Sequence, residues 1–265
     1  MRLVMLLVLA PLIVAAGCGS KGSKANTITI AGSTAFAPVA DKLAKAFEAK
    51  NPGVKIDVHS IGSIVGIKST NEGSCDIGMA DLVELPATAA ALKSTAISRD
   101  GIAVVVHPGN PVKGLTKDQI TKIFDGTISN WKDVGGADHG ISVIAREESS
   151  GTRSSFDKIL GIKGRLTKTA QFQNSNGACR TSVATDPNAI AYVSFVLVDA
   201  SVHALAIDGV EATIQNVRDG KFPIAATDFL LTKGEPTPLA KSFIDFALSP
   251  EGQKLIADAG LIPLK

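Results

Sequence analysis

From Thr27 onward, short alternating or apolar runs take turns with stretches whose apolar residues recur every three or four positions. Thr27-Ile28-Thr29-Ile30 reads as a strand, and Val39, Leu43, Ala46 and Phe47 then form a helical stripe. Pro52-Gly53 breaks the helix, Val54-Lys55-Ile56-Asp57-Val58 alternates as a second strand, and Asp76-Ile77-Gly78-Met79-Ala80 is a buried strand ending at Asp81. Ile102 to Val106 is a longer apolar strand closed by His107-Pro108-Gly109-Asn110-Pro111, where the chain is expected to cross into a second unit. Beyond it, Gln119 to Phe124 predicts a helix, Gly140 to Ile144 a strand, and Phe156, Ile159 and Leu160 the inner face of another helix. A helix from Asn176-Gly177 through Val183, a strand at 190–193, an extended segment at 224–233 and helices from Leu239 and Pro250 complete the run. Strand, polar turn and helix repeated in this way predict an α/β fold with a mostly parallel sheet.

In such sheets, ligands collect beyond the carboxyl ends of the strands. Four turns fall there: Ser33-Thr34, Ser63, Asp81 and Ser150-Gly151-Thr152. The last follows Arg146 and opens a helix, whose first N–H groups lack intrahelical acceptors and carry the positive end of the dipole. A guanidinium, a helix N-terminus and several hydroxyls suit a phosphate-like anion. Taken alone, the same segment also reads as a helix capped by Ser150 or Thr152, with Arg146 paired to Glu148. The four turns together favour a binding cleft. Asp81 reads either as an acidic acceptor in that cleft or as a cap or partner to a lysine. Glu148 reads as the group that orients Arg146 or as a surface ion-pair partner.

The N-terminus has its own pattern. Arg2, an apolar run from Leu3 to Val14 and Ala15-Ala16-Gly17 make residues 1–17 an export signal, too short to span a bilayer comfortably. Cys18 follows as in a lipobox, although Ala15 stands where Leu or Val is usual; plain secretion is the other reading. Residues 18–26 are a flexible tether. Removing the signal takes away only Arg2 and leaves 26 basic against 25 acidic residues, which argues against nucleic-acid binding. Cys75 and Cys179 are open to pairing in an oxidising envelope or to burial as separate thiols. His59, His107, His139 and His203 are scattered, so neither metal nor cofactor is expected, and Trp131 reads as a packing residue. A hydrolase is disfavoured because no G-x-S-x-G elbow, P-loop or metal-ligand cluster is present.

Several segments together resemble the substrate-binding component of bacterial phosphate ABC importers. They are Ala31-Gly32-Ser33-Thr34, Gly62-Ser63 with Gly66-Ile67-Lys68, Asp76 to Asp81, Arg99 to Val104, Ile128-Ser129-Asn130-Trp131, and Arg146 with Ser150 to Arg153. The tail segments Thr232 to Pro236 and Leu248 to Gln253 extend the likeness over nearly all of residues 27–265. The resemblance implies a two-lobed periplasmic-binding-protein fold, type II-like, whose chain crosses the hinge twice. Residues 27–107 and 226–265 would form lobe 1 and residues 108–225 lobe 2. It further implies that Thr34, the Ala35 N–H, Ser63 and Asp81 contact phosphate from one side, and Arg146, Ser150, Gly151 and Thr152 from the other. Inorganic phosphate would then pass to a permease and ATPase complex in the membrane, from a lipid-anchored, non-catalytic monomer in the cell envelope. The family often has an aromatic residue at the position of Ala35, and many relatives carry Ser-Arg near the position of Asp81, whereas this chain has Asp81-Leu82-Val83. The alternatives are an anion-sensing or adhesion lipoprotein of the same fold, or a binder of sulfate, molybdate or tungstate.

Overall fold

A computed structural model describes residues 26–264. The export signal, Cys18 and all but the last residue of the tether lie outside the described residues.

The elements in chain order are β1 (Thr27–Gly32), α1 (Ala37–Lys50), β2 (Lys55–Ser60), α2 (Ser63–Glu72), β3 (Ile77–Leu82) and the long β4 (Lys93–Val106). Then come β5 (Gly114–Leu115), α3 (Lys117–Phe124), β6 (Ser142–Arg146), α4 (Gly151–Leu160), β7 (Gln171–Gln173), α5 (Asn176–Thr185) and β8 (Ala189–Ser194). The chain closes with β9 (His203–Ala204), β10 (Ala206–Ile207), α6 (Ile214–Arg218), β11 (Ala225–Thr232), α7 (Pro238–Leu248), α8 (Pro250–Asp258) and β12 (Ile262–Pro263). Local chemistry sets the ends. Helix α1 starts with a proline in its first turn and buries Val39, Leu43 and Phe47. Helix α3 carries a full capping box between Thr116 and Gln119. Helix α4 is capped by Ser150, whose Oγ accepts from the Arg153 N–H, and ends at the left-handed Gly161.

The main sheet runs β2-β1-β3-β11-β4-β8-β6-β7, with β9 and β12 added on β4. Strands β2, β1 and β3 are parallel, as are β7, β6 and β8. The centre differs from the expected parallel sheet: β11 is antiparallel to both β3 and β4, and β4 is antiparallel to β8. Two long strands thus join two parallel βα units. Strand β4 pairs with β11 as far as Gly101 and with β8 from Ile102 onward. An apolar core lies on each side of this junction. Ile30, Leu43, Phe47, Met79 and Phe243 belong to one, and Val104, Phe124, Trp131, Phe156 and Tyr192 to the other.

Trp131 is buried and its Nε1 donates to the Asn188 carbonyl, in keeping with a packing role. Cys75 and Cys179 are both buried free thiols, so of the two readings open in the sequence the structure takes the unpaired one. Among the described residues no helix is long and apolar enough to cross a membrane, and no acid, histidine and cysteine group could hold a metal ion.

Candidate functional site

The strand-end turns do converge. Gly32 ends β1 with φ 146°, and a Cβ there would sit 1.9 Å from the Met79 carbonyl, so only glycine lets β1 and β3 approach this closely. The turn that follows holds Ser33, whose Oγ accepts from the N–H groups of Ala35 and Phe36, each at 3.2 Å. Ser63 begins α2, and its Oγ accepts from the Asp81 N–H at 3.2 Å. Across from these, a Cβ at Gly151 would lie 2.3 Å from both the Asp81 carbonyl oxygen and Ser63 Oγ. The start of α4 therefore packs directly onto the ends of β3 and α2. Ser149 and Ser155 extend this contact, accepting from the N–H groups of Ile64 (3.1 Å) and Val83 (3.0 Å).

Asp81 is wholly buried at this junction. Thr152 Oγ1 donates to Asp81 Oδ2 at 3.3 Å, while Asp81 Oδ1 is buried with no hydrogen-bond partner. Burial raises the carboxyl from its ordinary 3.8 to about 7, against the opposing pull of the Thr152 hydroxyl and the Arg146 charge. Arg146, also wholly buried, is held along one edge. Its Nε donates to the Gln173 carbonyl and its Nη2 to the Asn174 carbonyl, both at 3.1 Å, whereas Nη1 is buried without a partner. Its backbone is fixed as well: the Arg146 N–H donates to Tyr192 Oη, and Arg153 Nη1 donates to the Arg146 carbonyl.

Glu148 does not orient Arg146. It is exposed, and the nearby acid is Glu147, whose Oε1 lies 3.5 Å from Arg146 Nη2 and accepts from Ser149 Oγ. The tight turn after β6 keeps the first acid beside the guanidinium and throws the second outward. In this arrangement the Ala35 N–H donates to Ser33 Oγ at 3.2 Å. Thr34, Ser63, Asp81, Arg146, Ser150, Gly151 and Thr152 all gather at the one interface.

Three contributors escape a reading of the sequence. Asn176, the first residue of α5, is buried and donates through Nδ2 to Thr34 Oγ1 (3.1 Å) and Thr152 Oγ1 (3.2 Å). Its only sequence signal was the Asn-Gly pair opening a helix. Asp228 on β11 stands directly opposite Asp81, and Asp100 lies on β4 at the point of crossing. Both are buried, and each keeps one carboxyl oxygen without a partner. Burial pushes both carboxyls well above the usual range, and the neighbouring Asp81 pushes them further. A lone acid directly before the apolar run Phe229-Leu230-Leu231 was the available hint for Asp228.

The arrangement offers an unpartnered guanidinium N–H, an unpartnered carboxyl oxygen and a helix N-terminus within one buried interface. That set can take a small oxyanion bearing a hydrogen. Comparison with known proteins agrees with the geometry. Residues 19–251 match the PBP superfamily domain. The chain is 37% identical to the phosphate-binding protein PstS of Bacillus subtilis, over 98% of this chain and 93% of that one. Among solved structures, a phosphate ABC transporter substrate-binding protein from Clostridium perfringens, with phosphate bound, superposes with a TM-score of 0.88 at 44% identity, covering 91% of this chain and all of the other. An ABC-type phosphate transport receptor from Vibrio cholerae gives 0.75 at 34% identity, over 89% and 99% of the two chains. The chain belongs to the PBP superfamily and, within it, to the family of the PstS phosphate-binding proteins.

Proposed function

We propose that this protein captures inorganic phosphate between two lobes, 27–107 with 226–265 and 108–225, and delivers it to an ABC permease and ATPase complex. Thr34, Ala35, Ser63 and Asp81 contact the anion from lobe 1, and Arg146, Ser150, Gly151 and Thr152 from lobe 2. The single observation that carries the reading is the pair of buried atoms without protein partners, Arg146 Nη1 and Asp81 Oδ1. An orphaned buried donor and an orphaned buried acceptor at one interface are each expensive, and a ligand that both accepts and donates satisfies the two together. Arg146 Nη1 and the first N–H groups of α4 face the anion's oxygens, with the helix dipole behind them.

Asp81 selects among anions. Near neutral pH, phosphate retains a hydrogen that Asp81 Oδ1 can accept, whereas sulfate has none and sets two electron-rich groups against each other. A site built around a ligand hydrogen bond rejects an analogue lacking it by about 10⁴-fold. Because burial holds the carboxyl at about 7, acid reverses the arrangement. Once protonated, Asp81 itself donates and sulfate becomes acceptable. The protein acts without catalysis, as a monomer, held at the outer face of the membrane through a lipid on Cys18.

Calorimetric titration of a fragment comprising residues 27–265 with phosphate and with sulfate tests this reading. Phosphate is expected to be preferred by about 10⁴-fold at about pH 8 and by at least about tenfold less at about pH 5. Asp81→Asn should bring the two affinities to within about tenfold at either pH. Equal affinity of the parent for both anions at about pH 8 would sink the assignment of Asp81.

A further inference from the structure

Asn176 lies where the two walls of the cleft meet, and its hydrogen bonds have a fixed direction. The backbone N–H of Ser194 can only donate, so the Asn176 atom that faces it at 3.0 Å is Oδ1. The amide nitrogen therefore points the other way. It has two hydrogens and no acceptor capacity, and it gives one to Thr34 Oγ1 and one to Thr152 Oγ1. Each hydroxyl is thereby made an acceptor towards Asn176, and its own hydrogen has to go elsewhere. Thr152 sends its hydrogen to Asp81 Oδ2. Thr34 is left with a hydrogen to give to some acceptor other than Asn176.

We propose that Asn176 is a positioning residue that sets the polarity of both threonine hydroxyls, presenting Thr34 to the bound oxyanion, and Thr152 to Asp81, as donors. The inference rests on the phosphate site proposed above. A free hydroxyl next to an anion loses part of its favourable energy to orientations in which a lone pair faces the charge. Placing one amide hydrogen on a lone pair of each hydroxyl disfavours those orientations before the ligand arrives. The same amide also ties the walls together. Thr34 follows β1, whereas Thr152 and Asn176 belong to α4 and α5, so the three-centre arrangement bridges the two walls. Ser194 completes the anchor, because it stands at the end of β8 where the chain turns back toward β4: Phe195 N–H donates to Asp100 Oδ1.

The test is a double-mutant cycle read by phosphate titration of a fragment comprising residues 27–265. Thr34→Val alone should weaken phosphate about 10- to 100-fold, the loss of one hydrogen bond to a charged group. Asn176→Ala alone is expected to weaken it by a similar factor of about 10 to 100. If Asn176 acts through the Thr34 hydroxyl, the double variant loses less than the product of the two factors, by at least about fivefold. Losses that simply multiply overturn the proposal, as does an Asn176→Ala variant that binds like the parent. Should that variant fail to fold, Asn176→Asp carries the test, since it keeps the oxygen that Ser194 needs. Its second oxygen now accepts from both threonines and turns their hydrogens away from the anion, so phosphate should weaken by about 100-fold or more. Binding within about threefold of the parent there would refute the polarity argument. Failure of Thr34→Val to weaken phosphate is a different result, because it removes Thr34 from the proposed site and the inference with it.

Discussion

On the wall formed by β1, α2 and β3, the strand ends present hydroxyls, a capped turn and one carboxyl, whereas the wall formed by β6, α4 and α5 presents a guanidinium, a helix N-terminus and an amide. Both walls are the same strand–turn–helix unit, and each brings a buried polar atom without a partner to the site: Asp81 Oδ1 from the first, Arg146 Nη1 from the second. The second wall would attract any small anion, since charge and dipole do not distinguish phosphate from sulfate. On the proposed reading, the first wall supplies the acceptor that asks whether the anion carries a hydrogen. Capture and selection would then be divided between the two walls, each incomplete alone.

The division is broken most severely at Arg146. Replacing it with methionine keeps the packing of the stem but leaves Asp81 buried without its one nearby cation. Phosphate affinity at about pH 7 should fall by about 100-fold or more, as when one partner of a buried charged contact is removed. Sulfate should fall by a similar factor, because the guanidinium serves both anions. Titration of the variant with each anion checks this. A loss confined to phosphate would show that the two walls do not share their work in the manner described.

The parallel units and their small-residue turns were legible because the signals are local: alternation, a breaking Pro52-Gly53, a Ser-Gly-Thr run at a helix start. What joins the units was not. Alternation along β4 and β11 carries no direction, so the antiparallel centre of the sheet had no sequence signature. Asp228 became part of the site only because β11 returns from far along the chain to pair with β3, placing it opposite Asp81. Asn176 looked like the start of a helix, and it is one. Its further role depends on Thr34 and Thr152 arriving from two other elements. The choice between Glu147 and Glu148 is of another kind. The residues are adjacent and chemically equal, and only the turn's backbone decides which faces the arginine.

A second contrast sharpens the picture, that between Asp81 and its neighbours Asp100 and Asp228. Asp81 faces a cation and a hydroxyl, while the other two are pushed up by burial and by Asp81, with the Phe195 N–H donating to Asp100 and Ser98 Oγ to Asp228. A carboxyl whose folded value is raised makes the folded state bind more protons than the unfolded chain does. Its contribution to stability is full below the ordinary carboxylate range and is lost as pH rises through the raised value. For Asp81 that window runs from 3.8 to about 7, and Asp100 and Asp228 extend it in the same direction. The ligand-free protein should therefore melt at a lower temperature at about pH 8 than at about pH 5. Asp228→Asn is neutral at both pH values and still accepts from Ser98. It should raise Tm at about pH 8 by about 3 °C and change it little at about pH 5. Calorimetric melts of parent and variant decide the point. An equal loss at both pH values would mean that Asp228 is charged and paired.

The smallest effect separates the two adjacent acids. Glu147 Oε1 stands 3.5 Å from Arg146 Nη2, and its side chain is about one-third exposed, so its charge is screened by solvent. Glu148 is exposed and turned outward. Arg146 owes its placement chiefly to the carbonyls of Gln173 and Asn174, which fix Nε and Nη2 without any charge. Removing the Glu147 charge then acts in two opposed ways. It frees a little positive potential for the anion, and it loosens the Ser149 hydroxyl that Glu147 accepts from. Asp81 and the helix N-terminus are untouched by either change. Glu147→Gln should therefore alter phosphate affinity by no more than about threefold, and Glu148→Gln should not alter it measurably. Titration of both variants at low and high ionic strength checks the assignment, since only the Glu147 effect should shrink with salt. A larger effect at position 148 than at 147 would reverse the roles given to these two side chains.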